Sequence, residues 1–108
     1  MHALFITFRS AVAPEELKEV FTRTAEALRD GAARGLIGKT WLADGSTLGG
    51  FHVFEDRGTA DRYLDGMFAE AIMANPTFSD VRIKRYDVNE ALSRITDGVG
   101  ALAVGARS

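Results

Sequence analysis

The sequence predicts one α+β domain in the order βαββαβ, and three observations predict it. Apolar runs with a period of two bracket runs with a helical period, a turn signal joins the two middle strands, and the chain of 108 residues has the length of a single domain. At 46% hydrophobic the chain can bury a core, and at 26% charged it belongs with globular rather than disordered sequences.

Each element has its own local reason. His2 to Arg9 alternates as a strand, with Leu4, Ile6 and Phe8 on one side and Ala3, Phe5 and Thr7 on the other. Pro14 opens a helix at the position where proline is tolerated, and Glu15 and Glu16 suit the positive end of its dipole. Leu17, Val20, Phe21, Thr24 and Leu28 form its apolar stripe, and Gly31 and Gly35 mark its end. Leu36 to Ala43 and Thr47 to Glu55 are a strand pair joined by the turn Asp44-Gly45-Ser46. Gly49-Gly50 inside the second of these indicates a bulge or a close backbone approach. Asp56 or Thr59 caps a second helix, whose stripe is Ala60, Leu64, Met67, Phe68, Ala71 and Ile72 and which Asn75-Pro76 stops. Val81 to Val88 is the fourth strand, and Asn89 to Thr96 a short last helix ended by Asp97-Gly98. The domain is placed at residues 1–97. The small, apolar tail, 98–108, either docks or frays.

This order is that of the ferredoxin-like fold, with the first and third strands central and the second and fourth at the edges. The patterning agrees: the first and third strands are apolar on both sides, and the fourth carries Arg82, Lys84 and Arg85, charges that blunt an edge. Two helices cover only one face of such a sheet. Each large side chain left in water on the other costs roughly 1.5–3 kcal/mol of forgone burial, and a patch of that size calls for a partner. A second copy about a two-fold axis is the simplest one, which predicts a homodimer. In the alternative, the tail covers the second face and the chain is a monomer.

Composition and motifs narrow the function classes. A net charge of −2 gives no basic footprint for nucleic acid. The apolar start, Ala3 to Phe8, is too short to span a bilayer, and no basic amphipathic helix suits a membrane surface. The absence of cysteine removes disulfides and thiolate chemistry and fits a reducing cytoplasm. Gly45 to Gly50 lacks the ending of a phosphate-binding loop, and His2 and His52 alone make no metal-binding pattern.

Among the remaining candidates, His52 lies in mid-strand between Phe51 and Val53, as either a hydrogen-bonded core residue or a pocket acid/base. Trp41, beside Lys39 on an edge strand, is a pocket wall, an interface anchor or plain core. Lys84 and Tyr86 share one side of the fourth strand, and Asn89 is most simply a helix cap.

Two segments carry a family resemblance. Gly38-Lys39-Thr40-Trp41, followed past the turn by Gly49-Gly50-Phe51-His52-Val53-Phe54, is one. Lys84-Arg85-Tyr86-Asp87-Val88-Asn89-Glu90-Ala91-Leu92-Ser93 is the other. The chain resembles, from the first strand to about Ile95, the YdhR-like monooxygenases of the dimeric α+β barrel superfamily. The resemblance implies a ferredoxin-like protomer, a barrel formed by two sheets and an apolar pocket in each subunit. It also implies oxygenation of a small aromatic or polyketide-like molecule with neither flavin nor metal, so that no cofactor is expected. Lys39, Trp41, Phe54, Tyr86, Asp87, Asn89 and Glu90 match the family's elements. His52 stands where a relative can carry tyrosine, and Ala91 replaces a proline. The expected site is therefore Trp41, Phe54 and Tyr86 as wall, His52 as base, and Lys39 or Lys84 as stabiliser of an anion. The competing expectation is a non-catalytic dimer that binds an apolar ligand or serves a structural or stress-related role.

Overall fold

β1, His2–Ser10, runs through the middle of the sheet because it pairs on both sides, with β3 (Thr47–Phe54) and with β4 (Phe78–Asp87). β2 (Leu36–Asp44) completes an antiparallel sheet of order β2-β3-β1-β4. The helices are α1 (Pro14–Arg29), α2 (Arg57–Tyr63), a π-helix (Leu64–Met73) that continues α2, and α3 (Glu90–Ile95). This is a ferredoxin-like α+β fold, in a computed structural model that describes residues 1–96. The tail, 98–108, lies outside the described residues.

Pairing register decides which side chains share a face. Leu4 opposes His52, Ile6 opposes Gly50 and Phe8 opposes Leu48, so five side chains and the bare Gly50 share the face toward α1 and the π-helix. Leu4, Ile6 and Phe54 pack there with Ala60 and Phe68, and Phe8 and Leu48 with Leu17 and Phe78. Burial of each large member is worth roughly 1.5–3 kcal/mol. The opposite face carries Phe5, Phe51, Leu42 and Tyr86, of which the last three are exposed.

Two elements differ from expectation. β4 begins at Phe78 rather than Val81, because Ser10 pairs with Phe78 past a bulge. Asp80 takes a left-handed φ of 51° there, and the polar pair Ser79-Asp80 interrupts the alternation that marks a strand. The second helix is α-helical for one stretch only and then widens into the π-helix, a coil bonded i to i+5. The wider coil keeps Leu64, Phe68 and Ile72 against the core. The caps follow the sequence: Asp56 accepts a hydrogen bond from Thr59 N at 2.8 Å, and Asn89 accepts one from Leu92 N at 3.1 Å.

Gly49 is glycine because of a close approach: a Cβ there would collide with the Ile6 carbonyl oxygen of β1. At one end of the sheet, Arg85 Nε donates to His2 Nε2 at 3.1 Å, and His2 Nδ1 lies 3.2 Å from Asp87 Oδ1. Arg85 Nη2 stands 2.6 Å from Asp61 Oδ1, at ion-pair distance but without hydrogen-bond alignment. This chain ties β1 and β4 to α2.

Candidate functional site

A cavity of ≈ 380 Å³ lies between the sheet and the layer of α1 and the π-helix. Ile6, Phe8, Leu17, Phe21, Trp41, Met67 and Phe68 make most of its surface apolar, as small-molecule pockets are. Trp41 closes it toward α1, with its ring 5.4 Å from that of Phe21.

His52 reaches this cavity from the middle of β3. It is 2% exposed, and its Nε2 is 3.3 Å from the Tyr63 hydroxyl of α2. A ring proton on Nε2, donated to the Tyr63 hydroxyl oxygen, leaves the lone pair on Nδ1. Nδ1 is buried and has no hydrogen-bond partner. Burial, and after it the positive charge of Lys39, pushes the His52 pKa down to about 4, against a smaller pull upward from the Leu4 and Gly50 carbonyls. The imidazole is therefore neutral at neutral pH.

Lys39 stands directly opposite His52 in the β2–β3 pairing. Its Nζ lies 3.5 Å from the centre of the Trp41 ring, and burial pushes its pKa down to about 8. Burial likewise pushes the Tyr63 hydroxyl up to about 12. Gly50 makes the space for this pair. A Cβ at residue 50 would come within 2.8 Å of Lys39 Cε and 2.9 Å of His52 Cε1, so the two side chains meet across the bare glycine.

The structure brings together three of the six residues singled out in the sequence, His52, Lys39 and Trp41. It places the other three elsewhere. Tyr86 pairs with Ala3 and Lys84 with Phe5, so both stand on the opposite face of the sheet. That face follows from the strand parity, because Arg85, between them, points to the helices and Asp61. Phe54 is fully buried at the end of β3 and packs beneath Tyr63 at 5.4 Å between ring centres, so it supports the site from behind rather than lining it. Tyr63 is the member that sequence reasoning missed. Its signal was present: Ala60, Tyr63 and Leu64 follow the i, i+3, i+4 spacing of one helix face. Among the described residues, no three of His, Asp and Glu come together as a metal-ligand set.

The fold and the cavity define the class: a ferredoxin-like α+β domain with an apolar pocket that holds a neutral histidine and a lysine. The chain belongs to the family described as "Putative mono-oxygenase ydhR", which matches residues 3–99. It is similar in structure to NE2512, a protein of unknown function from Nitrosomonas europaea, with 28% identity, a TM-score of 0.62, and 82% of this chain and 88% of that one covered. It shares its fold with SnoaB, a cofactor-independent oxygenase from Streptomyces nogalater, at 22% identity and a TM-score of 0.61, covering 82% and 93% of the two chains. The ActVA-Orf6 monooxygenase of Streptomyces coelicolor, solved with nanaomycin D, has the same fold at 12% identity and a TM-score of 0.58, covering 82% and 87%. No curated protein matches the chain. No described helix is long and apolar enough to cross a membrane.

Proposed function

We propose that the protein is a cofactor-independent monooxygenase acting on a small aromatic or polyketide-like molecule bound in this cavity. One observation carries the reading: a buried, neutral histidine reaches an apolar pocket with one ring nitrogen unpartnered and a lysine beside it. Shared fold with a cofactor-independent oxygenase and membership of a monooxygenase family support it.

The chemistry asks for a base, a positive group for the anion that forms, and a dry wall. His52 takes the proton of a phenol or enol, and Lys39 faces the resulting anion. The electron-rich ring carbon then reduces dioxygen and bonds to it. Loss of water from the hydroperoxide leaves one oxygen atom on the substrate as a carbonyl and sends the other out as water. Trp41 and Phe21 keep bulk water from the anion.

A second reading has its own support, because a histidine held at about 4 is a weak base, which suits a binding protein without chemistry. Oxygen consumption with a panel of hydroxylated aromatics separates the two. Uptake by the wild type that drops at least about tenfold in His52→Ala is expected, since general base catalysis is worth about 10²–10⁴. No uptake with any member of the panel, or uptake indifferent to His52, would sink the assignment.

The assembly proposed with this function is a homodimer formed sheet to sheet. Phe51, Leu42 and Tyr86, all exposed on the face away from the helices, support it, since that face is apolar at its centre.

A further inference from the structure

The cavity has a charge with no counter-charge. Its lining includes Lys39, His52 and Tyr63 as titratable groups, and among the described residues no carboxylate from α1, the π-helix or any strand lines it. Lys39 has no ion-pair partner among the described residues and rests on the face of Trp41. Beside it, the 2%-exposed His52 holds an unpartnered Nδ1, which a ring proton on Nε2, donated to the Tyr63 hydroxyl oxygen, leaves as the acceptor. A half-buried cation without a counter-charge is costly, and the ligand that relieves the cost is an anion.

We infer that the ligand is a hydroxylated aromatic acid whose fixed carboxylate pairs with Lys39 while its hydroxyl is presented to His52. The inference rests on the oxygenase reading for the fate of the hydroxyl, and on the cavity alone for the carboxylate. It also answers the weakness of His52 as a base. Part of what holds the imidazole down is the positive charge of Lys39. A carboxylate on Lys39 cancels that charge, so binding of the substrate raises the proton affinity of the group that must deprotonate it. Desolvation, the larger cause, is unchanged, so the rise is partial. The charges balance through the step: the ion pair of Lys39 and the carboxylate stays neutral, and the proton leaving the hydroxyl makes an imidazolium next to the new oxyanion.

The test is binding in the absence of oxygen, with 1-hydroxy-2-naphthoic acid and its methyl ester as probes. The wild type should bind the acid at least tenfold more tightly than the ester near pH 7. Lys39→Arg should keep the preference, and Lys39→Met should bring the two within about twofold. Replacing a half-buried cation that has no ion-pair partner among the described residues by an apolar side chain of similar length does not endanger the fold, so Lys39→Met remains informative. By NMR, the titration of the His52 ring should move upward on binding the acid and stay in place with the ester. Equal affinity for acid and ester in the wild type, or a preference that survives Lys39→Met, overturns the inference. Oxygen consumption is read separately: acid preference with no uptake leaves the inference standing and removes the oxygenase reading, and uptake from a neutral phenol with no acid preference does the reverse.

Discussion

The hydroxyl of Tyr63 and Nε2 of His52 stand 3.3 Å apart, at the long end of the hydrogen-bond range, with their rings tilted by 46°. Two consecutive elements, the middle of β3 and the end of α2, thus set one imidazole. Tyr63 also packs on Phe54 and Phe68, so its ring is held independently of its hydroxyl. Tyr63→Phe should therefore fold with a loss of no more than about 1 kcal/mol, the worth of one hydrogen bond. The His52 ring should lose its tautomeric preference, visible in its nitrogen chemical shifts. Oxygen uptake should fall about three- to tenfold at unchanged KM. An unchanged NMR signature would mean that Tyr63 does not orient the ring.

The adjacent glycines of β3 should respond differently to the same substitution. A methyl at residue 49 meets the Ile6 carbonyl, a backbone atom at the centre of the sheet that has nowhere to go. Gly49→Ala should cost on the order of 3 kcal/mol, the upper part of the usual overpacking range. For a domain this size that lowers Tm by more than about 10 °C. At residue 50 the obstacles are two side-chain ends, 2.8 and 2.9 Å away. Gly50→Ala should cost about 1 kcal/mol and act mainly on the site, displacing Lys39 and weakening ligand binding. Thermal unfolding and a binding titration on both variants check the contrast. Equal losses of stability would mean that the sheet yields at residue 49.

The sheet was legible in the sequence because its signals are local. The turn Asp44-Gly45-Ser46 and the two-sided apolar runs of β1 and β3 fix the strand order, and parity puts Lys39, Trp41 and His52 on one face. Parity also separates Lys84 and Tyr86 from that face, once Arg85 is known to point toward Asp61. That knowledge is tertiary, since an edge strand with charges on both sides has no preferred face of its own. The π-helix was not legible, because the apolar spacing of Leu64, Phe68 and Ile72 suits either coil. Nor was the cavity: the same apolar residues could close up as core, and the space depends on Gly50 and on how far α1 stands from the sheet.

The lowered pKa of His52 makes stability depend on pH in a defined window. The unfolded chain takes up a proton near 6.5, and the folded one only near about 4. Between these values the unfolded state binds more protons, so stability rises with pH through the window and falls on acidification. The shift corresponds to at most about 3 kcal/mol between pH 7 and pH 4. Carboxylates add to the same slope, so the contribution of His52 is read by comparison. Urea unfolding of wild type and His52→Gln at several pH values should show a shallower dependence in the variant. Parallel curves would place the imidazole in contact with water.

The far face of the sheet makes the last prediction. Phe51 is 40% exposed in the protomer and opposes Phe5 across the β1–β3 pairing. Its side chain is thus marginal for the protomer and central to the proposed sheet-to-sheet dimer. Phe51→Glu leaves the glutamate partly in water in a monomer, where a surface change costs little. In the dimer the same carboxylate is buried without a partner, twice by symmetry, at several kcal/mol for each. The dissociation constant should rise by at least about a hundredfold, since every 1.4 kcal/mol is a factor of ten. Sizing by light scattering at micromolar concentration should give a dimer for the wild type and a monomer for Phe51→Glu, with matching circular dichroism. A wild type that sizes as a monomer contradicts the assembly, and a variant that stays dimeric moves the interface away from this face.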